Sequence, residues 1–170
     1  MATLHHNISG ELTQELLAPG DSVNVSKISL TNTQKVSSCK VDLFIQKALT
    51  GKFYLLKGVE IPIGATLVYN DIKFSNAANE FGLYIKLTDG ASFDITGSIN
   101  PDGSNPADGS GTAFLSELSV GDTLTVNSET KTITALLTDT TATMDAAFSA
   151  GLADTTVQCN PTALVDVIIN

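Results

Sequence analysis

His5 and His6 are the chain's only histidines, and Cys39 and Cys159 its only cysteines, so any imidazole or thiol chemistry would have to start from these four residues. Adjacent residues on an extended strand point to opposite faces, so His5 and His6 cannot readily chelate one metal ion together. The pair lies near a terminus, and without another His or a reactive Cys no Ser-His-Asp or Cys-His arrangement is plausible. The cysteines lie far apart, without a CxxC spacing or a neighbouring histidine, which favours two buried thiols over a disulfide and argues against a metal site. A carboxylate pair for glycoside cleavage would ordinarily be accompanied by aromatic rings that stack the sugar, and the chain has no Trp and three Tyr.

Asp102, Ser104, Asn105 and Asp108 are spaced like ligands of a calcium loop. The twelfth position from Asp102, where such a loop needs a bidentate Glu, is Ala113. The glycines of Gly109-Ser110-Gly111 lead into Thr112-Ala113-Phe114, without the Lys of a phosphate-binding loop. No catalytic residue, cofactor-binding residue or metal ligand is assigned on these grounds. The chain reads as non-enzymatic.

Charge narrows the partners. The net charge is −9 with no Arg. Residues 1–98 hold eight Lys against nine acids, whereas residues 99–170 hold Lys131 alone against nine. Without the guanidinium fork that phosphate recognition favours, nucleic acid is not expected as a ligand. The 170 residues contain no apolar run near the roughly 20 needed to span a bilayer, and Met1-Ala2-Thr3-Leu4-His5-His6 has neither the basic start nor the apolar stretch of a secretory signal. No membrane association is expected.

The elements that would position any site read as strands. Cys39, Val41, Leu43 and Ile45 alternate with Lys40, Asp42 and Gln46, the period-2 pattern of a half-buried strand, broken only by Phe44. Residues 21–31 form another apolar stretch, with a phase change at Ser26-Lys27 that suggests a bulge. Residues 53–59, 66–74 and 81–88 add strands, and a strand is preferred over a short helix for 10–17. Asp89-Gly90 predicts a hairpin joining 83–87 to 91–95. This density of short strands predicts an all-β chain built on an antiparallel β-sandwich, Ig-like or jelly-roll-like.

Residues 99–111, rich in Pro, Gly, Asn, Asp and Ser, read as a linker. Beyond them, 119–126, 130–135 and 141–145 predict three strands, with Asn127-Ser128-Glu129 as a turn. These form a small acidic β-barrel or meander over 112–160, too small to be stable unsupported. The β-branched run Leu164-Val165-Asp166-Val167-Ile168-Ile169 belongs inside a sheet, so the last strand is expected to return to the first domain. The predicted organisation is a sandwich of residues 1–98 plus 161–170, with the small module inserted before the final strand.

Two stretches carry a resemblance. Gly109-Ser110-Gly111-Thr112-Ala113-Phe114 with 115–124, followed by 129–135 and Thr143-Met144-Asp145-Ala146-Ala147-Phe148-Ser149, resembles a small β-module of tailed-bacteriophage virion proteins, often tail-fibre and accessory proteins. Residues 57–68, including Glu60-Ile61-Pro62-Ile63-Gly64, together with 83–87 and the final strand, are similar to small phage virion structural proteins. The resemblance implies a structural virion protein, assembled in the bacterial host cytoplasm and bound to the particle as a decoration (cement) or neck-type accessory protein. Its implied partners are major capsid, neck or tail proteins and further copies of itself, with exposed strand edges available for pairing. The alternative is a tail-fibre or receptor-binding protein that contacts a host surface glycan through turns 127–129 and 138–141.

Overall fold

The computed structural model describes residues 3–77 and 80–170; residues 1, 2, 78 and 79, which fall within the expected sandwich, lie outside it. In chain order the first strands are β1 (Leu4–Ser9), β2 (Gln14–Leu17), β3 (Asn24–Val25), β4 (Ile28–Asn32), β5 (Cys39–Gln46), β6 (Phe53–Ile61), β7 (Thr66–Tyr69), β8 (Phe74–Ser75) and β9 (Gly82–Thr88). Then come β10 (Phe93–Asp94), β11 (Ser98–Ile99), β12 (Ala107–Ser110), the helical turn α1 (Phe114–Glu117), β13 (Thr123–Val126), β14 (Glu129–Thr138), β15 (Thr141–Met144), β16 (Gln158–Asn160) and β17 (Leu164–Ile169). The chain is all-β, and it divides into two compact units, residues 1–34, 38–89 and 163–170 in one and residues 35–37 and 90–162 in the other.

The first unit is a sandwich of two antiparallel four-stranded sheets, β1-β17-β4-β7 and β2-β9-β5-β6, with β3 and β8 paired beside them. Its eight main strands are β1, β2, β4, β5, β6, β7, β9 and β17. The first of these pairs with the eighth, the second with the seventh, the third with the sixth and the fourth with the fifth. That is one long antiparallel ribbon, and rolling it up adds the pairs β17–β4 and β9–β5. Of the two expected sandwich types, this is the jelly roll.

Alternation explains its core. Val165, Val167 and Ile169 of β17 and Ile28 and Leu30 of β4 are buried together with Val41 and Leu43 of β5 and Leu83, Ile85 and Leu87 of β9. The nearly continuous apolar run of β17 fits a strand hydrogen-bonded on both sides, to β1 and to β4. At Ser26-Lys27, where the apolar phase slips, both backbone amides donate to the Asn170 carbonyl and separate β3 from β4.

The predicted 89–90 hairpin does not form. β9 is already paired on both sides, with β2 and with β5, so no edge remains for residues 91–95. Asp89 instead accepts a hydrogen bond from Ala163 N at 2.7 Å, and Ala163 O accepts one from Gly10 N at 3.0 Å. The two ends of the intervening segment are thus fastened at one place in the sandwich. The boundary at 98 is corrected to 89, and the return at 161 to 163.

The second unit is larger than the three-strand module expected over 112–160. Its sheet runs β10-β16-β13-β14-β15-β12-β11. The single segment from Phe93 to Ile99 supplies both ends of that order, pairing with 157–159 and 154 on one side and with 109–110 on the other. The sheet therefore closes into a barrel, which removes its edges. Shifts of register at 133/135 and 136/138 mark β14, consistent with bulges that bend a strand of this length around the barrel.

The expected linker at 99–111 is corrected on the same evidence, since β12 lies within it and pairs with β11 and β15. Local turn chemistry was overridden by closure. Asn105 donates to Met144 O at 2.8 Å and accepts from Met144 N at 3.0 Å, so its amide takes the place of a strand partner. With the added strands the unit has its own core, including Ile99, Phe114, Leu118, Leu124, Ile133 and Val157, and the expectation of instability no longer follows.

Gly97 marks the corner of the closing segment, at φ +83°. A Cβ there would meet Ser110 O at 2.5 Å and the Gly111 carbonyl carbon at 2.6 Å, both backbone atoms. Gly97→Ala is expected to destabilise the barrel by about 2–3 kcal/mol, from the left-handed backbone plus the forced shift of β12. Urea unfolding monitored by Cys159 exposure measures it; an unchanged midpoint would show that the corner relaxes freely.

Candidate functional site

Lys40, Asp42, Phe44 and Gln46 occupy the outward phase of β5, opposite to the buried Cys39, Val41 and Leu43. Phe44 has no measurable exposure, yet it is not part of the sandwich core. Its cover comes from the outer face itself. Tyr84 of β9 and Tyr54 of β6 are its cross-strand partners, with ring centroids 5.8 Å and 5.6 Å away. Tyr84 is nearly parallel to Phe44 and lies across Gly82, its hydroxyl 2.7 Å from where a Cβ would stand. Burial, followed by the hydrogen bond with Glu15 of β2 and that residue's charge, holds the Tyr84 phenol above its ordinary pKa.

Lysines overlay these rings. Lys52 Nζ lies 4.2 Å from the Phe44 centroid and Lys57 Nζ 4.8 Å from that of Tyr54. At the adjoining end of the sheet Lys47 Nζ is 5.4 Å from the Phe81 ring, which meets Phe53 edge-on at 5.8 Å. Each cation–ring contact contributes about 0.5–1 kcal/mol at an exposed site and holds an otherwise mobile side chain in place. No acid occurs between residues 43 and 59. Among the described residues none of these three lysines makes an ion pair. Three of the chain's ten aromatic side chains and two of its nine lysines, Phe44, Tyr54, Tyr84, Lys52 and Lys57, thus form one basic, aromatic platform on the outer face of β5, β6 and β9. Phe53, paired with Ile45, and Phe81 belong instead to the core-side phase. Sequence reading passed over it, although Phe44 in the polar phase of β5 was its signal.

The residues weighed for chemistry do not converge. His5 is exposed and His6 partly buried on edge strand β1, on opposite faces, and His6 Nε2 has no hydrogen-bond partner. Asp102 accepts from Ser104 N at 2.8 Å within its own turn, and its bonds to Ser104 lower its pKa. Asn105 is engaged with Met144, and Asp108 lies on β12 beside Thr141.

The two turns expected to contact a host surface are also apart. Asn127-Ser128 connects β13 to β14 with both residues at positive φ, a tight primed turn. Asp139-Thr140 lies at the other end of the ten-residue β14. At the rise of a strand that separates them by about 30 Å, so they do not form one binding site.

Cys39 and Cys159 are both free and buried, one in each unit. Burial first, then the charges of Asp89 and Glu60, push the Cys39 thiol up to about 11 from an ordinary 9.0. Burial, then Asp122 and Glu117, push Cys159 up to about 12. Neither thiol is expected to react with Ellman's reagent in the native protein at pH 8, and both should react in denaturant. The native state keeps protons that the unfolded chain loses above pH 9, so this contribution to stability is complete below pH 9. It should decline as pH rises through about 11 for Cys39 and about 12 for Cys159. Stoichiometric labelling of the native protein at pH 8 would contradict the burial.

Comparison with protein-family models, curated proteins and solved structures finds no match to this chain.

Proposed function

We propose that the chain is a structural virion protein of a tailed bacteriophage, a decoration (cement) or neck-type accessory protein that joins the particle through its jelly roll. The observation that carries the reading is the platform of Phe44, Tyr54 and Tyr84 under Lys52 and Lys57, which is held in place before any partner arrives. An aromatic and cationic sheet face suits a macromolecular surface better than a small substrate, because aromatic anchors dominate interface energies while lysines steer the encounter. Jelly rolls recur in viral shells and in lectins, so topology alone does not choose between assembly and glycan binding. The platform favours assembly. The ring faces of Phe44 and Tyr54, where a sugar would stack, already carry ammonium groups.

Quantitative mass spectrometry and reconstruction of purified particles test the reading. A capsid position predicts hundreds of copies and a neck position about a dozen, as symmetric sites require. Absence of the chain from purified particles would reject it.

A further inference from the structure

The platform invites a partner that is acidic and partly apolar, and such a surface exists within the same chain. The barrel unit holds nine Asp and Glu against Lys35 and Lys131. At one end of it, the helical turn α1 and the β14–β15 turn come together, with Leu115 N donating to Asp139 Oδ1 at 3.1 Å and Phe114 N to Asp139 O at 3.1 Å. Leu115 and Leu137 are 45 % and 55 % exposed there, beside Asp139 and near Asp108, which receives the Thr141 hydroxyl. The Lys35 ammonium donates to the Leu115 carbonyl at 3.2 Å, so two acids face one cation at this end.

We infer that the aromatic–lysine platform of one copy binds the acidic Leu115/Leu137 end of the barrel of a second copy, head to tail. The inference rests on reading the platform as an assembly surface, and it names the occupant. Three observations support this partner. The lysines lack counter-ions among the described residues while the barrel carries an excess of acid. Exposed leucines supply apolar area to set against Tyr54, 41 % exposed. The two surfaces also belong to different compact units of the chain. A contact between unlike patches is heterologous, and repeating it closes a ring or extends a chain of copies.

Sedimentation velocity of the full chain over a concentration series is the test, at about 20 mM and about 500 mM salt, where screening lengths differ several-fold. Reversible association at low salt is expected, weakened at high salt. Lys52→Glu with Lys57→Glu, both exposed positions, should weaken association by about 10- to 100-fold. Asp108→Lys with Leu137→Lys should do the same from the other side, and mixing the two variants should restore association between them. Thermal unfolding of each variant checks that the fold is kept.

Wild-type chain that stays monomeric at high concentration and low salt would overturn the inference, as would association indifferent to Lys52→Glu and Lys57→Glu. A monomer that binds heparin or an oligonucleotide through these lysines would replace the second copy with a polyanion. If the wild type is monomeric yet the Lys variants fail to enter particles, the assembly reading stands and only the named partner falls.

Discussion

Val167→Asp is expected to unfold the jelly roll while leaving the barrel intact. Val167 is 1 % exposed on β17, the strand hydrogen-bonded between β1 and β4. A carboxylate there would be buried among apolar side chains on the face that packs against the second sheet, with only the cross-strand His6 imidazole beside it. Such a substitution costs about 4–6 kcal/mol, comparable to the entire stability of a domain. The protein carries its own reporters. All three tyrosines and Cys39 belong to the jelly roll, whereas Cys159 is in the barrel. In the variant, Tyr emission should match that of the denatured chain and Cys39 should react with Ellman's reagent at pH 8. Cys159 should stay protected. Simultaneous exposure of both thiols would show that the two units unfold as one.

Asp122→Ala should give the opposite pattern. Asp122 has no measurable exposure, and its carboxylate accepts from Ser119 N at 2.8 Å and Thr162 N at 2.9 Å. Thr162 returns a bond from its hydroxyl to Gly121 O at 2.7 Å, so this side chain fastens the 119–122 turn to the end of the inserted segment. Truncation leaves buried amides without an acceptor and a cavity beside Cys159, at a cost of about 3–5 kcal/mol. Asp122→Asn keeps one acceptor but turns an NH2 toward a donor, and should lose about half as much. Cys159 labelling should then precede Tyr-detected unfolding in urea. An unchanged Cys159 midpoint in the Ala variant would show that water replaces the carboxylate.

Parts of both units were legible because their signals are local. Cys39-Val41-Leu43 alternate and form β5; Asn127-Ser128 adopt the positive φ of a tight hairpin; the β-branched run at 164–169 forms an interior strand. Each is decided by residues within a strand's length of one another. Asp89-Gly90 is equally turn-like, but whether a hairpin follows depends on whether β9 has a free edge. Residues 14–17 and 39–46 occupy both of its edges. Nothing near position 90 records this.

The platform was hidden for a related reason. Phe44 stood out in sequence only as a break in a period. Its meaning lies with Tyr54 and Tyr84, which the register of two ladders brings beside it, and with Lys52 and Lys57 folding back over the rings.

The sequence by itself determined that the chain is all-β, that its last strand lies inside a sheet and that its net negative charge is concentrated in residues 99–170. Composition and period-2 burial suffice for those conclusions. Tertiary structure decided the rest: the jelly-roll order, the closure of the barrel by residues 93–99 and 107–110, and the aromatic–lysine face. Each of these depends on which strand edges remain open once other strands have paired. That is a property of the whole ladder of hydrogen bonds, and no stretch of sequence carries it alone.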